Sequence, residues 1–429
     1  MRHFQALLRF DSSDPPGNER PAAEYLRDVL AAEGIEVEMY QLEPNRPNVV
    51  ARITGNGSRR PLLLMAHTDV VNVDPAKWTH PPFSATRDGG YVYGRGTVDD
   101  KDNVVTALMT MLLLQRTETP LDRDVVFLAE SGEEGSTRVG IQFMVNEHFP
   151  LIEAEFCLAE GGGVTREGGE VRFASVQLEE KIPRAIELVA RGVAGHGSVT
   201  LETNAVGRVA AWKPPLRLNE TLRAYFTRLV EISPPERATR YASLLSANPE
   251  ASAAAVDWLF RNEPRHAAMV RPTLTPTIVD AGYRINVIPS EAAATIDVRL
   301  HADEDPERFL EMVREVVADP SVEVRYAARD VRPGASNGAV GSEAFQAIER
   351  GVRSHYGVIA LPTMSTGATD MAYLRARGIE CYGIGPATDT EDGPLGFGAH
   401  SDQERILESE LHRFVRFHWD VVRDLAGAR

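Results

Sequence analysis

The sequence predicts an α/β protein with a mainly parallel sheet flanked by helices, interrupted by an inserted α+β domain. Three observations carry this reading. Short continuous apolar runs alternate with helical periodicity up to about residue 160, one-sided strand patterns follow residue 181, and helix–strand alternation returns from Ser342 onward. Uninterrupted apolar strands belong to sheets covered on both faces. Strands with one wet face belong to sheets covered on one.

Pro21 to Ala32 repeats Ala22, Tyr25, Leu26, Val29 and Leu30 at helical spacing, and Gly34 stops it before a strand over Glu36 to Tyr40. Pro61 to Ala66 is a buried-type strand, Val104 to Leu114 an apolar helix, and Val125 to Ala129 and Phe156 to Ala159 two further buried-type strands. After residue 181, Ala185 to Ala190 and Ala292 to Leu300 read as strands. Between them, Lys213 to Pro276 reads as helices (Leu222 to Ile232, Ala251 to Phe260) broken by Pro214-Pro215, Pro234-Pro235 and Pro264. A helix over Glu404 to Leu425 closes the chain. The expected division is residues 1–181 and 335–429 for one discontinuous domain and 182–334 for the insertion, with its helical extension near 213–276.

The 429 residues, 43% hydrophobic and 25% charged, suffice for more than one core and exclude disordered and fibrous classes. With 62 acidic against 46 basic residues, the net charge of −16 opposes binding to nucleic acid or to an anionic membrane surface. Two cysteines, Cys157 and Cys381, make no disulfide framework. No signal-type apolar segment and no stretch of about 18 apolar residues is found, so a cytoplasmic protein is expected.

In parallel sheets, ligands gather at the carboxyl ends of strands. There the chain carries His67-Thr68-Asp69, Glu130-Ser131-Gly132-Glu133-Glu134-Gly135 and Glu160-Gly161-Gly162-Gly163. A glycine-rich loop adds Asp99-Asp100 after Gly94-Arg95-Gly96, and another adds His400 after Gly396-Phe397-Gly398. His67 and Asp69 share a strand face, so one ring nitrogen can bind a metal while the carboxylate orients the ring. Taken singly, His67 and Asp69 also read as a solvated strand end, and Asp99-Asp100 as a helix cap. Together they bring His, Asp, Glu-Glu, Glu and His to one sheet edge. Nitrogen and oxygen donors without thiolates suit zinc, cobalt or manganese, and two ions sharing a carboxylate would account for so many acids.

With these motifs in this order, the chain resembles the zinc-dependent metallopeptidase family of aminoacylases, glutamate carboxypeptidases, acetylornithine deacetylases and succinyl-diaminopimelate desuccinylases. The matching motifs are Ala66-His67-Thr68-Asp69, Gly94-Arg95-Gly96 to Asp99-Asp100-Lys101, Glu133-Glu134-Gly135-Ser136, Glu160-Gly161 and Ala399-His400. The resemblance implies two divalent metal ions, Zn2+ in the first place with Co2+ or Mn2+ as alternatives. His67 and Glu160 would bind one and Glu134 and His400 the other, with Asp99 bridging, Glu133 as general base and Asp69 behind His67. It also implies a cis bond between Asp99 and Asp100.

In the insertion, Gly195-His196-Gly197-Ser198 resembles the family's lid, whose histidine reaches the partner subunit's site, and Asn286 and Arg299 resemble the pair that holds a substrate carboxylate. The implied partners are a small N-acyl amino acid or short peptide and a second copy of the chain, paired through the lid domain. Asp102 stands where many members have glycine, a departure from the common pattern, while Glu180-Lys181 together with the extension over 213–276 resembles the branch of carboxypeptidase S and the N-acyl amino acid hydrolases. A longer lid either blocks or rebuilds the lid-to-lid dimer.

Two other readings compete. Gly334-Ala335-Ser336-Asn337-Gly338 fits a serine nucleophile elbow, with Asp370 or Asp392 and then His400 following in order, but no apolar strand precedes it and no helix follows. A non-catalytic member of the same fold is the other, although no motif residue is missing.

Overall fold

The computed structural model describes residues 1–196, 205–328 and 331–428; the side chain of His196 and residues Gly197 and Ser198 of the lid motif lie outside that set. Two compact units result. One comprises residues 1–178, 337–363 and 369–429, the other 179–336 and 364–368.

The first unit is built on a ten-stranded mixed sheet. Its centre is parallel: Val125–Glu130, Leu62–His67, Phe156–Ala159 and Glu380–Gly383 lie side by side in that order. Antiparallel strands widen it on both sides, with Pro47–Ile53 against Val125–Glu130 and Glu170–Glu180 against Glu380–Gly383. All six residues of Leu62–His67 are buried, as the unbroken apolar run requires of a strand covered on both faces. The two faces still differ by the period of two. Leu62 and Leu64 join a core with Phe4, Leu26, Leu108, Met111 and Phe414, whereas Leu63 and Met65 join Ile141, Met144, Met371 and Leu374 on the other face.

Leu62–His67 lies between Val125–Glu130 and Phe156–Ala159, so the crossovers that follow it leave to opposite sides. At such a point in an open α/β sheet, ligands gather outside the carboxyl ends of the strands.

Several helix boundaries among the described residues follow local chemistry, with a clear exception. In the second unit, helices Pro235–Leu244, Pro249–Asn262 and Pro264–Met269 each begin on a proline, which supplies helical φ where no amide donor is needed. Asn219 and Asn248 cap helices Glu220–Ile232 and Pro249–Asn262 through their side chains. The exception is the last helix, which is Glu408–Ala426 rather than Glu404 to Leu425. Arg405–Leu407 instead pairs antiparallel with Tyr91–Tyr93, a partner some three hundred residues away in sequence that overrides the local helical pattern.

The second unit carries an antiparallel sheet in the order Thr273–Ala281, Glu291–Leu300, Ile182–Arg191, Val322–Tyr326. Helices Ala205–Ala211 and Pro306–Val317 pack on it through Val209, Phe309, Leu310 and Val313. The helical stretch is tied in by polar contacts. The Glu179 carboxylate accepts from Asn219 (2.5 Å), Thr221 (2.8 Å) and Ser336 (2.6 Å), while His301 Nε2 meets the Met269 carbonyl at 2.8 Å. Among the described residues, no helix is long and apolar enough to cross a membrane.

Candidate active site

Every strand-end residue singled out above belongs to the first unit. His67 ends its strand with Nε2 3.2 Å from Asp99 Oδ1, and its Nδ1 lies 3.1 Å from the Asp69 carbonyl. His400, in the αL conformation at φ 59°, places Nε2 3.0 Å from Asp99 Oδ2 and 2.9 Å from Glu134 Oε1. One donor atom each from His67, Asp99 and Glu160 lies within 4.8 Å of the others, and the same holds for Asp99, Glu134 and His400. Asp99 is common to both groups. The Asp99–Asp100 peptide bond is cis.

The acids at this junction do not act as helix caps. Asp100 precedes helix Lys101–Arg116 without a side-chain capping bond. Its carboxylate accepts instead from the His67 backbone N–H at 3.1 Å and from Asn103 at 2.6 Å.

Asp69 is fully buried, and its carboxylate accepts three backbone N–H bonds, from Gly132 (2.8 Å), Glu133 (3.2 Å) and Glu134 (2.9 Å). Three amides can converge on one carboxylate because the chain turns sharply at Gly132, where φ is +81° and a Cβ would lie 2.5 Å from the Ser136 carbonyl oxygen. Adjacent glutamates thereby leave a fixed turn. Glu134 reaches His400, and Glu133 stands near enough to Glu160 for its charge to raise the Glu160 pKa.

The electrostatics favour cations. Burial pushes Glu160 well above the ordinary carboxylate range, with Glu133 and Asp100 adding to it. Burial also opposes charge on Asp99, but hydrogen bonds from His400 and His67 outweigh it and hold its pKa low. Those same carboxylates push His400 up to about 10, through its bonds to Asp99 and Glu134. His67 rises well above its usual value although burial works against it, because hydrogen bonds to Asp69 and Asp99 prevail. A cluster that draws protons onto both imidazoles this strongly is one in which positive charge belongs. The imidazole–carboxylate separations of 2.9–3.2 Å approach the roughly 3.4 Å between ligands of a tetrahedral ion bonded at about 2.1 Å. The residues present therefore fit two divalent cations sharing Asp99.

The second unit brings its candidate residues together only in part. His196 pairs through its backbone with Val287, next to Asn286, which is exposed. Arg299 stands on the separate strand Glu291–Leu300, half-buried, with Nε donating to Asp297 at 2.9 Å. Ser336 lies in irregular chain and donates to Glu179 at 2.6 Å, while Asp392 pairs with Arg405 at 2.5 Å. Among the described residues, no strand leads into Ser336 and no helix starts directly after it, as a nucleophile elbow would need.

Glu404 and Asn48 matter to the site yet carry no local sequence signal. Buried Glu404 accepts from Arg95 (2.7 Å), Gly96 N (3.1 Å) and Val98 N (2.7 Å), locking the loop that presents Asp99. Asn48 accepts from the Ser131 N–H at 3.1 Å and donates to the Val139 carbonyl at 2.9 Å, spanning the glutamate loop. In sequence, Glu404 looks like one more acid before a helix and Asn48 like one more residue entering a strand. Only their distance in sequence from the loops they hold makes them informative.

Comparison with known proteins agrees with this geometry. The pattern of peptidase family M20/M25/M40 matches residues 63–424. A probable carboxypeptidase S-like 2 of Dictyostelium discoideum is 30% identical over 383 residues, spanning 86% of this chain and 72% of that protein. The N-fatty-acyl-amino acid synthase/hydrolase PM20D1 of Xenopus tropicalis is 27% identical over 374 residues, spanning 85% and 72%. Among solved structures, the M20 family metallo-carboxypeptidase Sso-CP2 from Sulfolobus solfataricus shares the fold, with a TM-score of 0.72 at 20% identity over 98% of both chains. A sheet edge whose strand ends and adjoining loops collect two imidazoles and a set of carboxylates, and a sequence match over most of the chain's length, lead to one conclusion: the chain belongs to peptidase family M20/M25/M40 and is an amide-hydrolysing enzyme.

Proposed function

We propose that this enzyme cleaves the amide bond of an N-acyl amino acid or short peptide next to a free carboxylate, using two divalent cations, zinc in the first place. The observation that carries the reading is the pair of donor groups sharing Asp99, with Glu133 beside Glu160. His67, Glu160 and Asp99 would hold one cation, and Asp99, Glu134 and His400 the other. Bound there, the cations would polarise the scissile carbonyl and acidify water.

Glu133 takes the proton of the attacking water and delivers it to the leaving nitrogen, so that an amine rather than an amide anion departs. Asp69 keeps this base in place through the backbone of its turn and orients His67. Asn286 and Arg299 hold the substrate carboxylate, for which arginine's planar fork is the matching donor. His196 stabilises the oxyanion, supplied by a second copy of the chain across the inserted domains. In support of such a dimer, Thr273–Ala281 is an edge strand whose Ile278 and Val279 are 60% and 66% exposed.

The substrate class also draws support from the N-fatty-acyl-amino acid and carboxypeptidase S-like names of the relatives. The test is a panel of N-acyl amino acids and dipeptides assayed after chelation, with zinc, cobalt or manganese added back. Activity lost to the chelator, restored by metal and confined to substrates with a free carboxylate is expected. Turnover that survives chelation and is abolished by a serine-directed reagent would refute the reading.

A further inference from the structure

A third cluster of acids lies behind the proposed cation pair: Asp14, Glu19 and Asp69 each offer an oxygen within 4.8 Å of the others, and all three are buried. By spacing alone this is a further cation site. Its cation is already supplied by the protein. Arg46 Nη2 lies 2.5 Å from Asp14 Oδ2 and 2.5 Å from Glu19 Oε1, and its Nε donates to both Glu19 oxygens at 3.0 and 3.1 Å. Arg46 is 5% exposed and Glu19 fully buried.

We propose that Arg46 is a positioning residue for Glu133, acting by holding Asp14 and Glu19 as a rigid block behind Asp69 and against the Gly132–Gly135 turn. The proposal rests on Glu133 being the base. Two contacts link the block to the turn. Asp69 takes the N–H groups of Gly132, Glu133 and Glu134. Asp14 presses its carboxylate against Gly135 so closely that a Cβ there would lie 2.4 Å from Oδ2. The same segment also reaches the start of the loop, since the Pro47 carbonyl accepts from Ser131 Oγ at 2.9 Å and Asn48 accepts from its N–H.

With the guanidinium removed, three carboxylates would face one another with no charge between them. They would move apart and take the turn with them. Lysine would restore the charge but not the fork that addresses two carboxylates at once.

The test uses the full-length chain, with Arg46→Met and Arg46→Lys compared with wild type and with Glu133→Gln. Amide hydrogen exchange of the peptide spanning residues 130–136 is measured in metal-free protein, and kcat, KM and bound metal in zinc-loaded protein with the best substrate of the panel. Arg46→Met is expected to exchange at least tenfold faster over this peptide alone. Its kcat should fall between about 10- and 100-fold, with KM and metal content little changed and Arg46→Lys intermediate. Unchanged exchange and kcat would overturn the proposal, as would a parallel loss of kcat, substrate affinity and metal, the mark of a merely structural residue. Where Arg46→Met does not fold, the isosteric Asp14→Asn carries the same expectations. If Glu133→Gln keeps wild-type turnover, the base assignment fails, and the exchange measurement alone then decides for Arg46. If Glu133→Gln is inactive while Arg46→Met behaves as wild type in both measurements, only the Arg46 proposal falls.

Discussion

The two units hold their proposed functional groups in different ways. In the catalytic unit the acids are buried and fixed by backbone donors: three amides converge on Asp69, and two amides with Arg95 hold Glu404. In the inserted unit Asn286 is exposed and Arg299 stands half-buried, donating to Asp297. The contrast teaches a division of labour. The proposed metal donors, which tolerate little displacement, are preorganised within one unit, whereas the groups proposed to recognise the substrate stand in a turn and on a strand near solvent and would complete their contacts when it binds.

Breaking the rigid half should have the largest effect. Asp99→Asn removes the carboxylate that both donor groups share, so metal analysis should find both cations weakened and kcat lowered by at least about 10³-fold. If the variant retains two tightly bound metals, the shared-ligand geometry is wrong. Altering the adaptable half should act on binding alone. Arg299→Lys should raise KM about 10- to 100-fold, the cost of about 1.5–3 kcal/mol for a charged hydrogen bond, while metal content and kcat stay close to wild type. A fall in kcat with KM unchanged would move Arg299 out of the carboxylate clamp.

The last effect concerns stability rather than activity, and here both units should behave alike. His418 in the catalytic unit is held down to about 3 by burial, and His301 in the inserted unit to about 4, by burial and then by Lys181. Each is neutral in the folded protein and would gain a proton on unfolding below the ordinary histidine pKa of about 6.5. Their contribution is therefore complete above about pH 6.5 and is lost as pH falls toward 3 or 4, by at most about 1.4 kcal/mol per pH unit for each group. Denaturant titrations between pH 7 and 4 should show a flatter profile for His418→Asn than for wild type. An identical slope would mean that the His418 pair with Thr110, at 2.8 Å, does not depend on the neutral ring.

How far the sequence discloses this division follows from the range of the forces involved. Three of the proposed metal donors are legible because each ends or follows an unbroken apolar run: His67 after Leu62 to Ala66, Glu134 with its neighbour Glu133 after Val125 to Ala129, and Glu160 after Phe156 to Ala159. The strand period and the glycines beside them are local signals. The helices of the inserted stretch are legible for the same reason, since proline and asparagine start them. What holds the donors still is not legible. Arg46, Asn48 and Glu404 work through partners far away in sequence, and the strand Arg405–Leu407 forms only because Tyr91–Tyr93 is there to receive it. Periodicity cannot report a partner it does not contain.

The central claim, that Glu133 moves the proton while its neighbours hold two cations, is tested most directly by metal content and turnover measured on the same sample of Glu133→Gln. Two zinc ions per chain with kcat reduced by about 10³-fold and substrate affinity preserved is the predicted result. Near-native turnover, or a loss of metal in proportion to the loss of activity, would contradict the account.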